Sequence, residues 1–80
     1  MNQKIRNEKG FGENIRQLRK KSGLTQEQVV TRLQLSGIDI SRSSYSQIEC
    51  GTYNIRISEL KALSKIFHTD YNAFFQNIDS

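Results

Sequence analysis

The chain has 80 residues, 35% of them hydrophobic, with five Gly, no Pro and one Cys, a length that makes one small domain burying about 60–65% of its unfolded surface. No apolar run approaches the roughly 20 residues that span a bilayer, and the charged start Met1–Lys9 lacks the apolar stretch of a secretory signal, so neither a membrane nor an exported protein is expected. The net charge of +4 is uneven: residues 1–21 carry seven basic and two acidic side chains, residues 22–80 five and six, and the basic end is the part an anionic polymer would attract.

Residues 1–9 read as a basic, flexible arm on a single domain covering 1–80. A first helix is predicted from about Phe11 to Lys21, with Phe11, Ile15 and Leu18 at i, i+4, i+7 forming one apolar stripe. Gly10-Phe11-Gly12 reads as the lead into it and is too short for a phosphate-binding loop. Ser22-Gly23 stops the helix, because glycine adopts the left-handed conformation that closes a helix end.

The second helix has the clearest start signal. Thr25 to Gln28 has the capping-box form, with Thr25 as cap and Gln28 reaching back to it, and Leu24 packs on Val29 as a hydrophobic staple. Val29, Val30 and Leu33 face inward. Ser36-Gly37 interrupts the pattern, and Ile38–Ile40 reads as a short extended lead-in. Ser41 caps a third helix running through Cys50, where Ile40 and Tyr45 repeat the staple. Its inner face is Tyr45, Ile48 and Glu49, and its outer face Arg42, Ser43, Ser46 and Gln47. Gly51 ends it.

A polar loop, Thr52–Arg56, follows. Ser58 is expected to cap a fourth helix with Leu60, Leu63, Ile66 and Phe67 inward, and Thr69 or Asp70 a short fifth bearing Tyr71, Phe74, Phe75 and Ile78. No two-residue alternation long enough for a strand is visible. The expectation is an all-α fold of five helices.

The stretch Gly23-Leu24-Thr25-Gln26-Glu27-Gln28-Val29, followed by Ser41-Arg42-Ser43-Ser44-Tyr45-Ser46-Gln47-Ile48-Glu49-Cys50-Gly51, resembles the helix-turn-helix of Xre/Cro-type, phage-repressor-like regulators. The similarity covers residues 11–76. It implies a compact lambda-repressor-like domain whose second and third helices form the helix-turn-helix. It also implies a sequence-specific regulator of transcription that binds double-stranded DNA as a homodimer. By the same resemblance Arg42, Ser43, Ser46 and Gln47 face the bases. Their spacing agrees, since 42/46 and 43/47 stack opposite the core face, and short polar side chains let a helix approach a major groove about 12 Å wide. Thr25 and Gln26 correspond to phosphate contacts at the start of the second helix, where free backbone N–H groups favour anions. Thr52, Tyr53, Asn54 and Arg56 correspond to the stretch running along the phosphates. Arg19 and Glu49 correspond to a structural ion pair between the first and third helices.

Three departures stand out. The link from Leu33 to Ser41 is about four residues longer than the family norm, which is one helical turn, so the second helix is expected to run on through Leu35. Val30 stands where the family usually has Ala, and Tyr45 where it has Ile or Val, and these larger side chains predict a wider helix crossing.

Catalysis is not expected. His68 and Cys50 are single, so no zinc cluster or Cys–His pair can form, and no serine has a base and an orienting partner. His68 near a helix end reads as structural. No cofactor, metal or small-molecule ligand is expected. The lone Cys50 rules out an internal disulfide and fits a reducing, cytoplasmic setting. Tyr71, Phe75 and Ile78 form the expected dimer surface. The rival reading is a protein-interaction module, antitoxin-like or anti-repressor-like, that keeps the repressor fold without binding DNA.

Overall fold

Gly10 opens the first helix from the left-handed region, at φ 97°, and α1 runs from Phe11 to Lys21. The computed structural model describes residues 10–76 and the backbone of Lys4–Ile5. Basic residues fill the last turn of α1, where they complement the negative end of the helix dipole.

Thr25 caps α2, Gln26–Leu35, through a complete capping box: Gln28 N–H donates to Thr25 Oγ1 at 3.1 Å, and Thr25 N–H to Gln28 Oε1 at 2.9 Å. Helix α2 runs through Leu35, two residues past Leu33. Gly37, at φ 89°, then closes it, with Ile38 N–H bonded back to the Leu33 carbonyl at 2.9 Å. This closure needs a left-handed residue, and glycine supplies it without a Cβ clash. Gln34 Nε2 reaches over the link to the Ile40 carbonyl at 3.0 Å, tying the end of α2 to the start of the next helix.

Ser41 caps α3, Arg42–Cys50, accepting from Ser44 N–H at 3.1 Å. Gly51 ends it at φ 85°. Helix α4 is Ile57–Ile66. It begins two residues before the position that a Ser58 cap requires. The Glu59 carboxylate accepts from Arg56 N–H at 2.7 Å and so makes Arg56 the capping position. Asp70, not Thr69, caps the C-terminal segment, accepting from Ala73 N–H at 3.3 Å.

That segment corrects the expected count of five helices. Tyr71–Phe75 is a single 3-10 turn, so the described residues hold four α-helices. Five residues are too few to repay helix nucleation, and tertiary contacts hold them instead. Phe74 is buried, the Phe75 ring lies 5.2 Å from that of Phe11, and Asn14 Nδ2 donates to the Phe74 and Gln76 carbonyls. Ile78 lies outside the described residues. A second departure from all-α is a two-stranded antiparallel ladder, β1 (Lys4–Ile5) with β2 (Ile55–Arg56), pairing Lys4 with Arg56 and Ile5 with Ile55. Strands of two residues carry no alternation to detect.

The core gathers the inward stripe of every helix. Phe11 and Ile15 meet Val29, Val30, Leu33, Tyr45, Ile48, Leu60, Leu63 and Phe74, with Leu18 and Leu24 packed against them. Val30 and Tyr45, the two enlarged positions, are both buried within it.

Gly12 is not part of a lead-in but a buried residue inside α1. A Cβ there would stand 2.5 Å from the Ile48 carbonyl oxygen and 2.6 Å from that of Glu49. The backbones of α1 and α3 therefore touch at this point, and only glycine fits. Gly12→Ala must push the helices apart, and overpacking of this kind costs about 1–3 kcal/mol. Thermal unfolding of the variant should show a clear fall in Tm. An unchanged Tm would mean that the two helices do not meet there.

Candidate nucleic-acid interface

Helix α3 has two unlike faces. Tyr45, Ile48 and Glu49 are buried, whereas Arg42, Ser43 and Gln47 are exposed and Ser46 is half-buried. All four outer residues lie along one side of the helix, because positions three and four apart share a face. The Ser41 cap and the Gly51 closure fix both ends of this segment. Cys50 continues the same stripe and is exposed.

Glu49 would be costly on the buried face without partners. Arg19 supplies them from α1: Nε donates to Oε2 at 2.7 Å and Nη2 to Oε1 at 3.2 Å. The third Arg19 donor, Nη1, bonds the Leu24 carbonyl at 3.0 Å. Both side chains are largely shielded, at 13% and 3% exposure. Burial alone would raise the Glu49 pKa. Hydrogen bonds from Arg19 and Gln26, the nearby Tyr45 hydroxyl and the Arg19 charge together outweigh burial and hold the carboxyl below its usual range. The same bond to Glu49 raises Arg19 further, against its own desolvation.

Tyr45 lies beside this pair. Its hydroxyl is buried and outside strict hydrogen-bond geometry, but it is close enough to feel the carboxylate. Burial, then the Glu49 carboxylate, push the phenol far above its ordinary value. The larger residue at this position thus places a polar atom next to the ion pair.

The expected phosphate contacts divide into two groups. Thr25 is exposed and already accepts from Gln28 N–H through its hydroxyl oxygen, which leaves its hydroxyl proton available to a further acceptor. Gln26 is half-buried and donates Nε2 to Glu49 Oε1 at 3.0 Å, a link that residue spacing does not reveal. In the loop after α3, Thr52, Asn54 and Arg56 are exposed, and Thr52 N–H bonds the Gln47 carbonyl at 3.0 Å. Tyr53 differs. It packs partly against the core and gives its hydroxyl proton to Glu59 Oε2 at 3.1 Å. Burial and the Glu59 charge raise its pKa. Its one hydroxyl proton therefore serves the start of α4.

The helix-turn-helix domain family matches residues 12–80, and the chain belongs to that family. By class it is an Xre-like, DNA-binding transcriptional regulator. Among solved structures it is similar to the restriction-modification controller protein C.AhdI from Aeromonas hydrophila. The two share 30% identity with a TM-score of 0.68, over 82% of this chain and 92% of that one. No curated protein matches. Among the described residues no helix is long and apolar enough to cross a membrane, and no cluster of metal-ligating side chains occurs.

The ion pair sets a stability test. Glu49→Ala leaves the Arg19 guanidinium unpaired and should cost about 3–5 kcal/mol, whereas replacing both partners with leucine should be close to neutral. The pH dependence has a definite sign. Because the folded Glu49 pKa is lowered, its contribution is complete above the ordinary glutamate value of about 4.3 and is lost as pH falls through the lowered one. Urea unfolding from pH 7 to pH 3 should show that loss in the native chain and lack the Glu49 contribution in Arg19→Leu/Glu49→Leu. Equal pH profiles would remove the pair from the stability of the fold.

Proposed function

We propose that the chain binds double-stranded DNA as a homodimer, with α3 of each subunit lying in the major groove of one half-site of a near-palindromic operator. The observation that carries this reading is the outer stripe of α3. Arg42, Ser43, Ser46 and Gln47 stand together on a helix whose opposite face is locked into the core. Arg42, at the first turn, suits a bidentate bond to guanine O6 and N7, and Gln47 suits adenine. Thr25, Gln26, Thr52, Asn54 and Arg56 flank that stripe in sequence and carry the donors that phosphate oxygens accept. Tyr53 orients the loop from behind through Glu59.

Dimerisation is supported by the C-terminal turn, where Tyr71 and Phe75 are 46% and 42% exposed. Large apolar groups left in water favour a partner surface. Two subunits joined there would read half-sites one DNA turn apart, about 34 Å. The likeness to a restriction-modification controller supports a role in controlling transcription.

Selection from random duplex DNA tests the reading directly. The native chain should enrich a two-fold motif, and Arg42→Ala should lose preference at one position per half-site, worth about 1–3 kcal/mol. An unchanged motif would remove Arg42 from base readout. Affinity should also fall steeply with added salt, by about 10³-fold or more from 50 to 200 mM if six or more phosphates are neutralised. Absence of any salt-sensitive DNA binding would favour the protein-interaction module instead.

Light scattering should give twice the monomer mass for the native chain, and Tyr71→Glu should shift it towards monomer. A native chain that stays monomeric at high concentration would refute the dimer.

A further inference from the structure

Glu49 and Gln26 have separate roles in a sequence reading, one structural and one toward DNA. Their hydrogen bond joins those roles. Gln26 is the first residue of α2, and its Nε2 donates to Glu49 Oε1 at 3.0 Å. A carboxylate can only accept, so the amide group facing it is the nitrogen, and the amide oxygen is turned elsewhere. One of the two amide N–H groups is used in this way. The second is the side chain's remaining donor.

A phosphate oxygen is also only an acceptor. An unrestrained glutamine samples both amide orientations before binding and has to be fixed in the N–H-outward one as the phosphate arrives. We propose that Glu49 is a positioning residue for backbone binding: its carboxylate holds the Gln26 amide in the one orientation that leaves an N–H for a DNA phosphate. The proposal rests on the DNA-binding reading above.

Arg19 completes the arrangement in two ways. A bare carboxylate behind a phosphate site would repel the phosphate. The guanidinium, 2.7 Å from Glu49 Oε2, cancels that charge while leaving Oε1 able to accept from Gln26. Its third donor grips the Leu24 carbonyl, just before the Thr25 cap, and so fixes where α2 begins. The ion pair therefore sets both the position of Gln26 and the way its amide faces.

The test replaces single phosphates of the selected operator with neutral methylphosphonates and measures affinity for each duplex. Gln26→Met should lose about tenfold in affinity, as expected for one hydrogen bond to a charged group, and should become indifferent to neutralisation of one particular phosphate per half-site. Arg19→Leu/Glu49→Leu, with folding checked by thermal unfolding, should become indifferent to that same phosphate while staying sensitive to the others. Gln26→Met added to that background should then cost less than twofold. A role confined to stability would weaken every phosphate contact alike. If the paired variant does not fold, Arg19→Met/Glu49→Met removes the carboxylate acceptor while keeping side chains of similar length, with the same expectation.

Continued sensitivity to that phosphate in either paired variant would overturn the positioning role. So would a Gln26→Met variant that binds and responds like the native chain. A native chain with no phosphate-sensitive DNA binding would instead overturn the DNA-binding reading, and the proposal with it.

Discussion

A charged carboxylate on the buried face of a nine-residue helix is the feature around which this small domain is organised. Desolvating Glu49 costs several kcal/mol unless its lone pairs are met, and donors from two other helices meet them. Arg19 comes from the last turn of α1 and Gln26 from the first residue of α2. An apolar residue at this place could slide against its neighbours. A hydrogen-bonded charge cannot, because each donor fixes a distance and a direction. The pair thus sets how α3 stands relative to α1 and to the cap of α2, and with it the direction in which Arg42 and Gln47 project. Tyr45 adds a hydroxyl beside the same charges, so the enlarged core position belongs to this polar centre as well as to the apolar one.

Much of the fold was legible because its signals are local. Thr25 with Gln28, Ser41, and the glycines at 23, 37 and 51 mark helix ends through short-range geometry, and the apolar stripes name the buried face of each helix. Three features were not legible, each for its own reason. Gly12 looks like a loop glycine from its neighbours Gly10 and Phe11, yet its role is set by carbonyls on α3, far away in sequence. The start of α4 was misplaced because Ser58 is a good cap by type. Glu59 at the right offset from Arg56 makes the stronger one. The last turn was expected to be an α-helix because aromatic spacing in Tyr71–Phe75 fits that period. A five-residue segment held by Asn14 and Phe11 needs no such regularity.

The interface divides in the same way. The outer stripe of α3 could be read from spacing alone, since residues four apart must stack on a helix. The partners of Gln26 and Tyr53 could not. Both side chains are polar and suitable for phosphate by type, and only the folded chain brings Glu49 to one and Glu59 to the other. Residue type states which bonds a side chain is able to make. Tertiary packing decides which are already made.

Asn14 and Gly12 lie two residues apart on α1 and look in different directions. Asn14 clamps the carbonyls of Phe74 and Gln76, while Gly12 seats the helix against the carbonyls of Ile48 and Glu49. Helix α1 is in effect a stiff spacer between the C-terminal aromatic turn and α3, with no hinge along it. For subunits joined through that turn as proposed, the centre-to-centre separation of the two α3 helices is then a fixed length. An added base pair between half-sites would change both their spacing and their rotation about the duplex axis. A strut of this kind has no slack to follow such a change, so the DNA would have to twist or bend to restore the fit.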